Sequence, residues 1–197
     1  MLPIAENRLT KIQIPPMMLL WGEFSMQKTK QLAYIALGAA VIALSAWLSI
    51  PAAVPFTMQT MAVLTVAGLF GARLGCASVG VYLLLGSVGA PVFAGFRGGL
   101  HVLLGATGGY LIGFLLVAVL TGWVAQRVRR IWQLALGMAG GMAALYAFGT
   151  LWYAALYANG GLKAILLTCV VPFLLPDAAK LSLALLLVVR LRRSIHI

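Results

Sequence analysis

Acidic side chains are scarce in this 197-residue chain, which holds 3 Asp and Glu residues against 14 Lys and Arg residues. All charged residues together make up 9% of the sequence, whereas soluble domains carry about 25%. Hydrophobic residues make up 63%, and the mean hydropathy is +1.05. This composition excludes a soluble globular enzyme and a disordered chain, and it indicates a polytopic membrane protein.

Residues and motifs for metal, nucleotide and covalent chemistry are also scarce. The two cysteines, Cys76 and Cys169, each lie in an apolar stretch, as expected for small buried side chains rather than a disulfide. The sequence has no Cys-x-x-Cys pair and no Gly-Lys-Ser/Thr phosphate loop. We therefore expect no metal, no cofactor and no catalytic residue. An intramembrane protease using Ser87 and His101 is an alternative, but the Gly-x-Ser-x-Gly turn of serine hydrolases is absent.

Nearly continuous apolar sequence follows residue 31 and predicts an all-α membrane domain over residues 31–193 with six transmembrane helices. The last helix is predicted to be interrupted by Pro172 and Pro176. The predicted helices cover residues 32–50, 57–70, 74–88, 107–126, 131–157 and 162–189.

The distribution of basic residues predicts the orientation of these helices. Eleven of the 14 bases fall in the N-terminal tail, the turn between helices 2 and 3, the turn between helices 4 and 5, or the C-terminal end. Arg97 and Lys163 fall in the opposite loops, and Lys180 lies within the last helix. Because short cytoplasmic loops are rich in Lys and Arg, both termini are predicted to be cytoplasmic.

The ends of the chain are predicted to be cytoplasmic tails. Residues 1–30 form an N-terminal tail that we expect to be disordered, and residues 194–197 form a short C-terminal tail. Translation starts either at Met1 or at Met26, which precedes the first long apolar segment.

Two ionisable residues stand out in the sixth helix. Asp177 and Lys180 are three residues apart on one helical face, 13 and 10 residues before Arg190 at the inner boundary. A helix rises about 1.5 Å per residue, which places them roughly 20 and 15 Å into a core about 30 Å thick. Such residues usually mark a ligand or ion path, although a structural pair is the alternative.

Pro176 is predicted to begin the second half of this helix inside the membrane. The positive dipole end of that half-helix, together with Lys180, would suit a carboxylate ligand. Asp177 would accept hydrogen bonds from ligand N–H groups or hold Lys180 in place.

The Gly- and Pro-rich stretch 89–105 predicts irregular backbone. It either folds over a cavity or forms a plain outer turn. Phe93 and Tyr110 offer ring surfaces to a ligand, whereas Thr57 and Gln59 contact either the ligand or a neighbouring helix.

Small residues recur at helical spacing on helix 1, as Ala36 with Ala40 and Ala39 with Ala43. This spacing lets helices approach closely, either inside the domain or against a partner protein.

Four segments taken together resemble the BioY family, the biotin-binding S components of energy-coupling factor (ECF) transporters. The resemblance covers residues 28–193, and one position differs, since Ala106 stands where the family commonly has Pro. The segments are Val54-Pro-Phe-Thr-Met-Gln-Thr60; Gly89-Ala-Pro-Val-Phe-Ala-Gly95 with Gly98-Gly99-Leu100; Gly105-Ala-Thr-Gly-Gly-Tyr-Leu-Ile-Gly-Phe114; and Pro172-Phe-Leu-Leu-Pro-Asp-Ala-Ala-Lys180.

The resemblance implies a six-helix S component that captures biotin from outside a prokaryotic cell and resides in the plasma membrane. It also implies two kinds of partner, a transmembrane coupling protein (the T component) and a pair of ABC-type ATPases. The coupling protein is expected to dock on helix 1 at Ala36 and Ala40, with Ala39 and Ala43. An S component for another small vitamin and a stand-alone carrier coupled to protons through Asp177 are the alternatives. The implied substrate-binding residues are Thr57, Gln59, Phe93, Gly98, Gly99, Tyr110, Asp177 and Lys180.

Overall fold

Long apolar helices make up most of the computed structural model, which describes residues 16–50, 56–128, 130–157 and 162–194. Five helical segments of this part are long and apolar enough to cross a membrane, so the predicted all-α membrane fold is confirmed. The elements are α1 (Pro16–Trp47), β1 (Ser49–Ile50), β2 (Phe56–Thr57), α2 (Gln59–Ser87), α3 (Leu100–Leu103), α4 (Gly108–Arg127), α5 (Ile131–Tyr157), α6 (Leu162–Cys169) and α7 (Val171–Ser194).

The chain divides after Leu32 into two units, Met1–Leu32 and Ala33–Ile197. Helix α1 begins at Pro16, so the predicted start of the first helix at residue 32 is wrong, and residues 16–30, assigned to a disordered tail, are helical. Residues 1–15 and 195–197 lie outside the described part, as do Val54, Pro55 and Arg129.

Helix α2 reverses direction at Gly71, whose φ of +78° is open to glycine but strained for other residues. The amide Nε2 of Gln59 donates a hydrogen bond of 2.6 Å to the hydroxyl of Tyr82. A straight helix would separate these two residues by roughly 35 Å. Residues 59–70 and 72–87 therefore form two arms of a hairpin, which correspond to the predicted helices 57–70 and 74–88.

Close helix contacts in the core depend on small residues. A β-carbon on Gly122 of α4 would overlap the backbone of Ala72, and one on Gly109 would overlap the side chain of Trp152 on α5. A β-carbon on Gly141 of α5 would stand 2.9 Å from the hydroxyl of Thr121. In the absence of a hydrophobic driving force within lipid, such close packing holds helices together. The small residues of α4 and α5 thus serve internal packing.

The last two helices meet at Val170, two residues before Pro172. Helix α7 begins at Val171, so Pro172 occupies its first turn and Pro176 lies inside the helix. The prediction that Pro176 begins a half-helix is therefore wrong. Pro176 lacks the N–H that would bond the Pro172 carbonyl, so one helical hydrogen bond is lost, whereas Pro172 in the first turn lacks an N–H that has no partner within the helix.

Candidate functional site

The site is centred on an ion pair on helix α7. Nζ of Lys180 lies 2.8 Å from Oδ1 of Asp177, one helical turn away. The two residues are only 4% and 6% exposed. A charge at this depth is costly unless it is paired and its remaining hydrogen-bonding groups are satisfied.

Side chains from two other helices complete the environment of the Asp177 carboxylate. The hydroxyl of Tyr146 on α5 donates a short hydrogen bond to Oδ2. The hydroxyl of Thr60, in the first arm of α2, donates to Oδ1 at 3.4 Å. Asp177 thus accepts from three side chains on three helices, which fixes the orientation of its carboxylate.

Lys180 is held from the opposite side by the β2 segment. Its Nζ donates a hydrogen bond of 2.6 Å to the backbone carbonyl of Thr57, and it lies 3.7 Å from the centroid of the Phe56 ring. The ring face attracts the ammonium group electrostatically. The ammonium therefore has a carboxylate, a carbonyl and an aromatic ring as neighbours.

This pair borders a cavity of about 670 Å³, counted with its open mouth. Six of the predicted ligand residues line it, and they come from the β2 segment, α2, the 88–99 loop, α4 and α7. The six are Thr57, Gln59, Phe93, Tyr110, Asp177 and Lys180. The side-chain amide of Gln59 is engaged by Tyr82, as a buried amide requires.

Gly98 and Gly99, also predicted as ligand residues, do not line the cavity but shape the loop beside it. A β-carbon on Gly98 would overlap the carbonyl of Ala90. Gly99 has a φ of +103°, and its N–H donates to the carbonyl of Gly86 at 2.7 Å. Both positions therefore need a residue without a side chain, and their contact with a ligand stays a prediction.

The 88–99 loop is tied to helix α1 next to the cavity. The indole Nε1 of Trp47 donates to the carbonyl of Pro91 at 2.9 Å, and its ring stacks on Phe96 with centroids 5.0 Å apart. Within the loop, the N–H of Phe93 donates to the carbonyl of Arg97 at 2.9 Å. The loop thereby places the buried Phe93 ring and the exposed Arg97 side chain on the cavity wall.

Several lining residues were not predicted from the sequence. Tyr146, Phe114 and Phe173 carry rings, Leu145 and Leu111 are aliphatic, and all belong to apolar helices. A tyrosine within a span as apolar as α5 is the one sequence signal that would have suggested Tyr146. The cavity wall is otherwise mostly apolar, as is usual for small-molecule sites.

The four helix-1 alanines do not share one surface. Ala36 and Ala40 are exposed, whereas Ala39 is 4% exposed and Ala43 is half-buried. Because Ala39 packs into the core of the domain, its prediction as a partner-docking residue is wrong. The exposed surface of α1 instead carries Ala36 and Ala40 beside Leu37, Val41 and Leu44.

Comparisons with known proteins agree on one family. The model of the BioY family matches residues 17–197. The chain is 41% identical to the biotin transporter BioY of Thermotoga maritima over 166 residues, 83% of this chain and 96% of that protein. It is 42% identical to the biotin transporter BioY2 of Lactococcus lactis subsp. cremoris over 132 residues, 64% of this chain and 72% of that protein.

A solved structure has the same fold. The crystal structure of the S component for biotin from an ECF-type ABC transporter superposes with a TM-score of 0.78 and 30% sequence identity. The match covers 85% of this chain and 93% of that one.

Proposed function

This chain belongs to the BioY family, and we propose that it is an S component whose cavity binds biotin for uptake by an ECF-type transporter. The observation that carries the proposal is the buried Asp177–Lys180 pair at the wall of a largely apolar cavity. Biotin combines an apolar bicyclic ring with a polar ureido group and a carboxylate tail. The cavity offers apolar walls and polar groups at its deep and its exposed sides, which suits that combination.

The ureido group of biotin is proposed to bind at the Asp177–Lys180 pair. A ureido group is neutral and presents two N–H donors beside one carbonyl acceptor. The pair presents a carboxylate acceptor beside an ammonium donor. A ligand carboxylate placed here would instead leave one uncompensated negative charge in a buried site, which is costly.

The carboxylate of biotin is proposed to lie near Arg97. The guanidinium is exposed at the cavity edge, and its Nε donates to the carbonyl of Ala94 at 3.2 Å. The remaining N–H groups of the guanidinium suit a carboxylate in a bidentate pair. Phe93 and Tyr110 line the cavity wall, where they suit the apolar part of the ligand.

The membrane arrangement supports capture from outside a prokaryotic cell. We propose that the two arms of α2 are separate spans, which gives six spans in the domain 31–193 and places both termini in the cytoplasm. The excess of bases on the opposite side from Arg97 supports this orientation. Accessibility of the α2 turn and of the 88–99 loop to a membrane-impermeant reagent in intact cells tests it.

Transport is proposed to need a coupling protein and ABC-type ATPases, because the chain has no phosphate-binding loop of its own. The proposed docking surface is the exposed stripe of Ala36 and Ala40 on α1. Small side chains there let a partner helix approach closely.

The first experiment is equilibrium binding of radiolabelled biotin to the purified chain, freed of co-purified biotin, with thiamine and riboflavin as competitors. Saturable binding displaced by biotin alone is expected. Displacement by another vitamin would reassign the substrate. Absence of binding by folded, monodisperse protein would contradict the proposal and favour the proton-coupled carrier, which is tested by uptake under a pH gradient without ATP.

The orientation of the ligand is tested by comparing biotin with its methyl ester. Arg97→Gln should weaken biotin binding about tenfold and leave binding of the ester unchanged, because only biotin carries the negative charge. An equal loss of affinity for biotin and for the ester would contradict the placement of the biotin carboxylate at Arg97.

A further inference from the structure

A second cavity, of about 580 Å³, lies between the start of α5 and the end of α7, far from the biotin site. Three arginines line it: Arg130 just before α5, and Arg192 and Arg193 in the last turn of α7. Its remaining wall is apolar and consists of Val128, Ile131, Leu134 and Val189. The cavity thus combines a strongly basic rim with a hydrocarbon surface.

Arg192 is held in place by the backbone of two helices. Its guanidinium donates to the carbonyl of Gly68 in the first arm of α2 and, at 2.9 Å, to the carbonyl of Ala125 on α4. Both carbonyls lie within the last turn of their helices, where they lack helical partners and where cations are favoured. Arg192 therefore joins three helices and holds the wall of the cavity in a fixed position.

Arg130 and Arg193 are exposed at the same cavity. The acidic side chain nearest to them along α7 is Asp177, 15 residues before Arg192, or roughly 22 Å along the helix. That carboxylate is engaged with Lys180, Tyr146 and Thr60. The guanidinium groups consequently attract an anion from outside the second unit, and their planar donors suit phosphate oxygens.

The surroundings of this cavity are those of a membrane interface. Trp123 and Trp132 lie close by in sequence on α4 and α5 and are 52% and 56% exposed, and the guanidinium of Arg127 lies 3.9 Å from the ring of Trp123. Exposed tryptophans are enriched at the level of lipid head groups. A ligand in this cavity would meet both arginine and aliphatic side chains.

We propose that this cavity binds an anionic phospholipid, with its phosphate between Arg130 and Arg193 and the upper part of one acyl chain against Ile131, Leu134 and Val189. Basic pockets between transmembrane helices commonly bind anionic head groups. The site does not depend on biotin, and none of its residues contributes to the biotin cavity. A bound lipid would bridge the α4–α5 turn and the end of α7.

The test is native mass spectrometry of the delipidated full chain titrated with phosphatidylglycerol or phosphatidylcholine. Wild-type protein should bind one phosphatidylglycerol at least tenfold more tightly than phosphatidylcholine. Arg130→Gln and Arg193→Gln should each weaken phosphatidylglycerol binding about fivefold, in line with the attraction of one basic residue to an anionic lipid surface. Arg73→Gln is the matched control, because Arg73 is an exposed arginine that does not line this cavity.

Three outcomes would overturn the proposal. The first is equal affinity for the two lipids, and the second is an equal loss of phosphatidylglycerol affinity in the Arg73→Gln control. The third is full displacement of the lipid by millimolar inorganic phosphate, which would mean that the acyl chain does not contribute to affinity. Unchanged biotin affinity and an unchanged elution volume in the two site variants establish that they are folded. Loss of biotin binding in the wild type would count against the proposed function and leave the lipid result intact.

Discussion

The ring of Phe93 occupies the space in which a β-carbon of residue 86 would stand, so that Gly86 and Phe93 are in direct contact. On another side of the ring stands Tyr82, which meets Phe93 edge to face with centroids 5.5 Å apart. Phe93 is 1% exposed and lines the proposed biotin cavity. A glycine on α2 thus determines where the cavity wall stands.

Gly86→Ala should weaken biotin binding about tenfold, because the added methyl group forces Phe93 toward the cavity. Overpacking of this kind costs about 1–3 kcal/mol. Gly80→Ala on the same helix is the control, since a β-carbon there meets nothing within 4 Å. It should leave affinity unchanged and raise stability by up to about 1 kcal/mol. Equal affinities of the two variants would show that the position of Phe93 does not affect binding.

Lys180→Met should weaken biotin binding at least tenfold, or about 1.4 kcal/mol. It should also lower the free energy of unfolding by about 3–5 kcal/mol, because Asp177 is left buried without its partner. Ser182→Ala, at an exposed position on the same helix, should change neither quantity. Radiolabelled biotin binding and denaturant unfolding measure the two effects.

A double variant separates the structural role of this pair from its ligand role. Asp177→Asn combined with Lys180→Met removes both charges and should regain part of the lost stability, while biotin binding stays weak. Recovery of binding together with stability would contradict direct contact between the pair and the ligand.

Tyr146→Phe should lower biotin affinity, because Asp177 loses the donor to its Oδ2 and its carboxylate becomes free to rotate. A hydrogen bond to a charged group contributes about 1.5–3 kcal/mol to stability, so thermal unfolding should also shift downward. Tyr34→Phe on the exposed face of α1 is the matched control. Normal affinity in the Tyr146 variant would mean that Thr60 and Lys180 suffice to orient Asp177.

Ala40→Leu should leave biotin binding intact and disrupt assembly with the coupling protein, because the larger side chain separates the two helices. Ala143→Leu, which adds the same bulk to an exposed position on α5, should assemble normally. Co-purification with a tagged coupling protein measures the assembly of both variants. Equal recovery of the two variants would exclude this face of α1 as the docking surface.

The spans and the ion pair could be predicted from the sequence because their signals are strong and local. Apolar runs of about 20 residues are typical of transmembrane helices, and an Asp and a Lys within such a run are rare enough to stand out. The reversal at Gly71 could be predicted for the same reason, since Arg73 interrupts the apolar sequence there.

Features that depend on tertiary contacts could not be predicted from the sequence. Pro172 and Pro176 both suit the start of a helix, and the sequence does not show that Pro172 lies in the first turn of α7 and Pro176 inside the helix. A glycine-rich motif signals unusual backbone but does not say whether the backbone faces a cavity, and Gly98 and Gly99 lie beside the cavity rather than on its wall. Ala39 and Ala40 are adjacent in sequence, yet one is buried and the other exposed.

The pairing of Lys180 with Asp177 has an electrical consequence. Moving one elementary charge through the membrane potential involves about 2.3 kcal/mol per 100 mV. The two opposite charges lie 2.8 Å apart on one helix and move together, so any movement of this helix along the membrane field carries no net charge from the pair. The membrane potential therefore does no net work on this pair, and under the proposed function the energy for releasing the ligand is expected to come from ATP hydrolysis by the partner proteins.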